Sequence, residues 1–471
     1  METDSLLGPK TGSASGSDSY TEYESTQHAE DTDAPSDGNH GVSINQHVAR
    51  DDRMTTAQKK LLACLVMVRI LNGSLVAIMI PFFPVEAASR GVSQTVISSL
   101  FTAFALAKMI MSPFIGRLAP LLGIKWLYNF GVAASGLATI VFGTLNYIAD
   151  TSAFVAACFL VRLMEAAGSA ATAVCSFTII GSQFPSRVNR VVALLGSALT
   201  IGMALTPAIW GGLFALGGFG IPFYTLGVIM LLMAAVNQRL MPTIEKTTSE
   251  SQTHLLSSLR LLAGSTGNWV CMATAFIIAA DVSTVDSALA PYANDVLGVA
   301  SSQVGLFYIV STTLYAGMNF FWGSLAERVQ NRYKVMSPCL LVASLAILLV
   351  APSSSFGLNP SWWVTGLGMT LELMFIGGAI TPCFKIMLDS GIERGLEDSL
   401  STLSLIASVY QMTFSLGIAV GPLSGGIIVD MYGFPCMIIV LALATAAVGV
   451  LVGVKAVFVS LRHMSAYRCR A

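Results

Sequence analysis

Charged residues are scarce in this chain. Asp, Glu, Lys and Arg make up 11% of its 471 residues, where a soluble globular domain carries about 25%. With 54% of residues hydrophobic, there is too little polar side chain to cover a water-facing surface, and large apolar patches would drive aggregation. No nucleotide-binding loop, metal-ligand cluster or catalytic triad is present in the sequence. Neither an enzyme nor an ATP-driven pump is therefore expected, and no cofactor. No cleavable signal peptide is expected, since the first 53 residues are polar. The eight cysteines make no disulfide framework. Cys64, Cys158, Cys175, Cys271, Cys339 and Cys383 fall in apolar runs, where a thiol behaves as a small hydrophobe. Cys469, in a basic tail, is a candidate for palmitoylation.

What the chain has instead is hydrophobic length. Its mean hydropathy is +0.71, and apolar runs of roughly 20 residues recur, each long enough to cross a bilayer. The fold class expected is an all-α polytopic membrane protein. Twelve spans are read at roughly 61–83, 94–115, 126–146, 153–178, 191–215, 220–240, 267–291, 303–326, 335–351, 361–385, 400–427 and 434–457. The domain plan is an acidic, disordered cytoplasmic tail (1–58), a six-helix half (59–241), a Ser/Thr-rich linker (242–266), a second six-helix half (267–458) and a basic tail (459–471).

The formal net charge of −1 averages two unlike parts. Residues 1–53 hold eleven acids and three bases; the remainder holds fifteen acids and twenty-two bases. Links after odd-numbered spans contain one base, Arg90. The five other links contain eleven: Arg117, Lys125, Arg187, Arg190, Arg239, Lys246, Arg260, Arg328, Arg332, Lys334 and Arg394. By the positive-inside rule the eleven-base side is cytoplasmic, together with both termini. The tail is too polar to fold alone. Within it, Glu2-Thr3-Asp4-Ser5-Leu6-Leu7 has the acidic dileucine pattern, an acid four residues before a leucine pair. Glu2, Leu6 and Leu7 are thus a candidate sorting signal for a cytoplasmic adaptor, with chance in an acid-rich tail as the alternative. That signal favours a vesicular or endolysosomal membrane over the plasma membrane.

An internal repeat is visible. Gly116-Arg117-Leu118-Ala119 follows span 2, and Gly323-Ser324-Leu325-Ala326-Glu327-Arg328 follows span 8, 207 residues on. Pro207 with Gly211-Gly212 in span 5 echoes Pro422 with Gly425-Gly426 in span 11, 215 residues on. Two similar offsets argue for a duplicated six-helix unit, and two such halves around a midplane cavity suit an alternating-access carrier.

At these residues the chain resembles the major facilitator superfamily. The loop from Gly116 through Gly123 to Lys125 is similar to the signature between its second and third helices, with Pro120 where an Asp is usual; the second copy keeps an acid, Glu327, before Arg328. Phe159-Leu160-Val161-Arg162-Leu163-Met164-Glu165 resembles the fourth-helix signature with its buried Arg. Gly417 through Gly421, Pro422, Gly425 and Gly426 resembles the glycine-proline signature of antiporters, whereas span 5 has Thr206-Pro207 in place of Gly-Pro. A narrower resemblance, to vesicular amine transporters and their polyamine-transporting branch, rests on Pro81-Phe82-Phe83-Pro84-Val85-Glu86-Ala87, Cys158-Phe159-Leu160-Val161-Arg162, Val285-Asp286-Ser287 and Leu400-Ser401-Thr402-Leu403. Monoamine and acetylcholine members keep acids in spans 1, 10 and 11; counted from Pro81, Pro382 and Pro422, those places hold Asn72, Gly377 and Gln411. The resemblance therefore points away from those substrates.

Ionisable groups at bilayer depth are costly and usually face a cavity or a partner. Here they are Arg69, Lys108, Arg162, Glu165, Asp281, Asp286 and Glu372; Lys385, near the end of span 10, can snorkel to water. Arg162 and Glu165, three apart, share a helix face and can pair. Either the pair only locks helix packing, or its proton occupancy changes when substrate arrives. Asp281 and Asp286, five apart, are about 140° apart around a helix and cannot both face one cavity. Asp286 matches the family's span-7 acid and is the candidate substrate or proton carboxylate. Asp281 is the candidate interhelical partner of Arg69 or Lys108, and Glu372 is either a second carboxylate or a structural group. Cavity-lining candidates are Asn72, Lys108, Tyr308, Tyr315, Tyr410 and Gln411, the tyrosines as aromatic faces for ammonium groups. Gly116, Arg117, Gly123, Gly323, Glu327, Arg328, Gly421, Pro422, Gly425 and Gly426 are candidates for the conformational switch.

The expected function is proton-coupled antiport of organic cations, such as polyamines, into acidic vesicles. A proton gradient is the energy source, and the partners are lipid, solute and protons. No nucleic-acid partner is expected, and the chain is expected to act as a monomer. Two alternatives remain: a carrier for an organic anion or amphiphile, for which Arg69 and Lys108 speak, and a transport-inactive membrane receptor or scaffold.

Overall fold

The computed structural model describes residues 54–242, 255–298, 301–352 and 361–468. The acidic tail with Glu2, Leu6 and Leu7, Lys246 of the central linker, and Cys469 lie outside them. The described chain is helical, with no strand among those residues. In order come α1 (Thr56–Ser89), α2 (Gln94–Leu122), α3 (Ile124–Thr144), α4 (Thr151–Gln183), α5 (Val188–Gly217) and α6 (Gly220–Leu240). A short α7 (Leu255–Ala263) precedes α8 (Thr266–Asp295), α9 (Ser301–Arg328), α10 (Tyr333–Ile347), α11 (Trp362–Ile380), α12 (Cys383–Glu393), α13 (Leu400–Tyr432) and α14 (Phe434–Arg468).

Ten helical stretches among the described residues are long and apolar enough to cross a membrane: α1–α6, α8, α11 with α12, α13 and α14. The 28-residue α9 and 15-residue α10 fill the remaining places, which makes two halves of six spans. Leu160, Leu232 and Leu443 are among the large apolar side chains left exposed, as a lipid-facing surface requires. Three details depart from the sequence reading. Regular helix in α10 stops at Ile347, and i→i−3 bonds from Leu349 and Val350 carry the turn onward. The tenth span is two helices, because Pro382 at the break supplies no N–H and crowds the preceding turn. The Ser/Thr-rich linker ends in helix, α7.

Polar residues start the long helices where the chain enters them. Thr55 and Gln58 form a capping box at α1, with Thr55 Oγ1 accepting from Gln58 N at 3.2 Å and Gln58 Oε1 from Thr55 N at 3.1 Å. Asp150 accepts from Ala153 N at 2.7 Å to cap α4, and Ser399 accepts from Thr402 N to cap α13. Gly218 and Gly433 turn the chain out of α5 and α13 with φ of 74° and 83°, a left-handed conformation that favours glycine. They are 215 residues apart, the same interval as Pro207 and Pro422.

The repeat also governs helix crossings. A Cβ on Gly202 of α5 would lie 2.0 Å from the Ile70 carbonyl oxygen of α1. A Cβ on Gly417 of α13 would lie 2.4 Å from the Phe276 carbonyl oxygen of α8. Two further crossings join the halves. Gly116 of α2 is pressed on Ser408 of α13, where a Cβ would be 2.5 Å from Ser408 Cβ; Gly323 of α9 is pressed on Ala193 of α5, where it would be 2.8 Å from Ala193 Cβ. Gly116 and Gly323 are 207 residues apart, Ala193 and Ser408 215, so one inter-half contact occurs twice.

Candidate functional site

Three carboxylates at membrane depth, Asp281, Asp286 and Glu372, lie in the second half. Asp286 of α8 is exposed, and the Tyr308 hydroxyl of α9 is within reach of it. Glu372 of α11 is 2% exposed and within electrostatic reach of both Asp281 and Asp286. Asp281, 1% exposed, points elsewhere: Thr445 Oγ1 of α14 donates to its Oδ2 at 3.5 Å, and its Oδ1 has no hydrogen-bond partner. The helical phase thus separates Asp286, which meets open space, from Asp281, which is packed between helices. Asp281 is not paired with Arg69 or Lys108. Its side chain belongs to the α8–α14 contact, and those cations are carried by α1 and α2.

Arg69 and Lys108 form a second, basic centre. Both are half-buried and within electrostatic reach of each other. The phenols of Tyr128, Tyr315 and Tyr410 are within electrostatic reach of Arg69. Two of these come from the second half, on α9 and α13, so both halves build this centre. Tyr308 and Tyr315 therefore serve different poles. Seven residues on one helix span about 10 Å, so the two tyrosines that reach these centres are offset by that rise along α9.

The other polar candidates are engaged by neighbours. Asn72 Nδ2 of α1 donates to Thr172 Oγ1 of α4 at 3.4 Å, and Gln411 Nε2 donates to Ser415 Oγ one turn on at 3.1 Å. Tyr410 packs edge-on against Phe177, ring centroids 5.0 Å apart. Arg162 and Glu165 of α4 lie inside the first half, 1% and 2% exposed, with Arg162 Nη1 donating to Glu165 Oε2 at 2.5 Å. The guanidinium covers the Phe104 ring of α2 at 4.3 Å. Lys385 does not simply reach for water; its Nζ donates to Asp389 Oδ1 at 2.6 Å, and Arg332 holds the other oxygen at 2.8 Å. Glu86 pairs with Arg90 at 2.9 Å, at the end of α1.

On the face that carries the basic links, the halves meet closely. Thr178 Oγ1 of α4 donates to Ser404 Oγ of α13 at 3.3 Å. A Cβ on Gly181 would lie 2.5 Å from Leu403 Cδ2, and the Phe177 ring packs at a tilt against that of Phe384 of α12, centroids 5.0 Å apart. Glu327 Oε1, at the end of α9, accepts the Asn189 N–H in the first turn of α5 at 2.7 Å, where helix geometry favours an anion. The first repeat copy has Pro120 at that place and offers no equivalent acceptor. Arg117 and Arg328 are exposed beside these contacts, and Gly123 turns the chain between α2 and α3 with φ of 95°. Gly417, Gly421 and Gly425 seat α13 on α8, whereas Gly426 faces open space; a Cβ on Gly421 would lie 2.5 Å from the Ala280 carbonyl oxygen. Pro422 lies inside α13.

Asn319 escaped the sequence reading. It is 1% exposed, and neither side-chain polar atom has a hydrogen-bond partner. It sits against Gly377, where a Cβ would be 2.3 Å from Asn319 Oδ1. Any acid at 377 would have to displace it. The readable signal was its spacing, four residues after Tyr315 on one helix face. A cleft of about 580 Å³ lined by Thr95, Ser98, Ser99, Thr102, Ala103, Leu106 and Leu423 contains no ionisable side chain. The charged centres, not that cleft, define the candidate site. No group of three or more His, Cys, Asp or Glu suited to a metal ion occurs among the described residues.

The profile of the Major Facilitator Superfamily matches this chain in two overlapping stretches, residues 62–401 and 271–462. The MFS-type transporter SLC18B1 of Homo sapiens is 29% identical over 358 residues, covering 75% of this chain and 76% of that protein. The chromaffin granule amine transporter of Rattus norvegicus is 24% identical over 363 residues, covering 73% of this chain and 63% of that one. Among solved structures, FucP in its outward conformation superposes with a TM-score of 0.66 at 16% identity, over 84% of this chain and 98% of FucP. The human organic anion transporter MFSD10 (TETRAN) does so with a TM-score of 0.64 at 17% identity, over 85% and 100%. At these identities the likeness to solved structures is one of fold.

Proposed function

Because this chain belongs to the major facilitator superfamily, a family of membrane transporters, we propose that it exchanges protons for organic cations of the polyamine or related amine class. The observation that carries this reading is the acidic pole, with Asp286 exposed and Tyr308 and Glu372 within reach of it. Carboxylates this close repel when all are ionised, so an arriving ammonium group and a proton compete for the same place. That competition couples the two fluxes without a cofactor. Glu165, paired to Arg162, is a second proton-bearing group in this scheme.

The basic links place the closed face in the cytoplasm with both termini, so the state described opens toward the lumen or exterior. The membrane is vesicular or endolysosomal, reached through an adaptor reading Glu2, Leu6 and Leu7, and the transporter works as a monomer. A second reading, transport of an organic anion, is favoured by Arg69 and Lys108.

The test is uptake into proteoliposomes with an acidic interior, offering spermidine, serotonin, acetylcholine and benzoate in competition. Spermidine should dissipate the pH gradient, and Asp286→Asn and Glu165→Gln should each abolish that dissipation. Intact flux in both variants would overturn the assigned site. Benzoate transport alone would select the second reading, and no flux with any solute would favour a receptor.

A further inference from the structure

Several other bases at or near membrane depth have a carboxylate beside them. Arg90 has Glu86, Arg162 has Glu165, and Arg332 and Lys385 share Asp389. Arg69 and Lys108 have none: among the described residues neither enters an ion pair, and Arg69 Nε is shielded from solvent without a hydrogen-bond partner. The remaining acids lie at the other pole, where Tyr308 is within reach of Asp286 and Thr445 donates to Asp281. Two like charges sharing a poorly hydrated site repel each other and each loses solvation. The phenols within electrostatic reach of Arg69 hydrogen-bond but carry no compensating charge.

We infer that Arg69 and Lys108, with the hydroxyls of Tyr128, Tyr315 and Tyr410 around them, form a binding site for a monovalent anion. Arg presents a planar fork matched to a carboxylate and Lys a point charge, a pair that suits either a carboxylate or chloride. The anion arrives as the acidic end of an amphoteric solute or as an inorganic ion. For an amphoteric solute the required length follows from α9. Tyr308 marks the acidic pole and Tyr315 the basic one, so ammonium and carboxylate must be about 10 Å apart. The anion site stands on the basic pair alone, and only the bridging solute also rests on the acidic pole assigned above.

The experiment is thermal unfolding of the purified full-length chain in a low-ionic-strength buffer whose only anion is sulfate, titrated with 8-aminooctanoate, 1,8-diaminooctane or sodium chloride. The first has an ammonium and a carboxylate at the required spacing; the diamine has the same length and no anion. In the unmodified protein 8-aminooctanoate should raise the Tm saturably. Arg69→Gln and Lys108→Gln should each increase its half-saturating concentration at least tenfold while leaving the diamine response in place, which also shows that the variants are folded. If either glutamine variant fails to fold, Arg69→Lys and Lys108→Arg take its place, with a smaller but measurable loss. A chloride response lost in the same variants identifies an inorganic anion as the ligand. Equal anion responses in the unmodified protein and the variants, or no anion response in any of them, overturn the site. A missing diamine response with the anion response intact tells against the amine reading alone.

Discussion

The Arg162–Glu165 pair poses the sharpest question at the scale of single residues, because its burial is compatible with either of two roles. Both side chains are nearly inaccessible and 2.5 Å apart. Removing Arg162 alone strands a buried carboxylate, a loss of about 3–5 kcal/mol. Replacing both charges by apolar residues of similar size is often neutral. Arg162→Met should therefore lower the Tm markedly, and Arg162→Met with Glu165→Leu should recover most of it. Proton-coupled uptake is the discriminating measurement. If the double variant regains stability and still fails to transport, the pair has a role beyond packing; if transport returns with stability, it only locks α4.

Helical phase was enough to distinguish Asp281 from Asp286, since five residues turn the side chain by about 140°. It could not name the partner of Asp281, because Thr445 is 164 residues away and no local period links them. Asn319 was hidden for a similar reason: its importance lies in two glycines, Gly196 and Gly377, on other helices. Phe104 was also unreadable as the cover for Arg162, because one aromatic residue in an apolar run carries no positional signal.

At the scale of elements, the glycines decide how closely helices cross, and not every glycine in a motif is used. Gly417 leaves no room for a Cβ, the obstacle being the Phe276 backbone at 2.4 Å. Backbone of a packed helix cannot yield as a flexible side chain can, so Gly417→Ala should cost about 1–3 kcal/mol, the range of an overpacked core. Gly426 has nothing within 4 Å of an added Cβ, so Gly426→Ala should be neutral or stabilising by about 0.5–1 kcal/mol through lower chain entropy. Thermal unfolding of both variants in one detergent compares them directly, and equal shifts would remove the crossing as the cause. The sequence showed the glycine-proline motif but not which glycines make contact. Its period marked the tenth span as apolar throughout, yet the backbone breaks at Pro382, a residue the apolar run absorbed without visible interruption.

At the scale of the whole molecule, the duplicated unit was legible because both copies retain Gly-X-Leu-Ala and a later proline. The structure gives those offsets a physical meaning. Gly116 on Ser408 and Gly323 on Ala193 are one contact made twice across the halves. The copies are not equivalent in charge, since Glu327 holds the start of α5 at 2.7 Å and Pro120 supplies no matching oxygen. A carrier built this way must separate these contacts once in every cycle to admit solute from the basic face. Thr178 and Ser404 lie at that seam with their hydroxyl oxygens 3.3 Å apart, close enough for a disulfide after small adjustment. Thr178→Cys with Ser404→Cys should transport when reduced, stop when oxidised and recover on reduction, with cross-linking followed by mass spectrometry. Each single variant should transport under both conditions, which excludes oxidation elsewhere as the cause. Uptake that continues in the fully cross-linked protein would mean that the seam stays shut throughout transport, and solute would then have to leave by a path other than parting of α4 from α13.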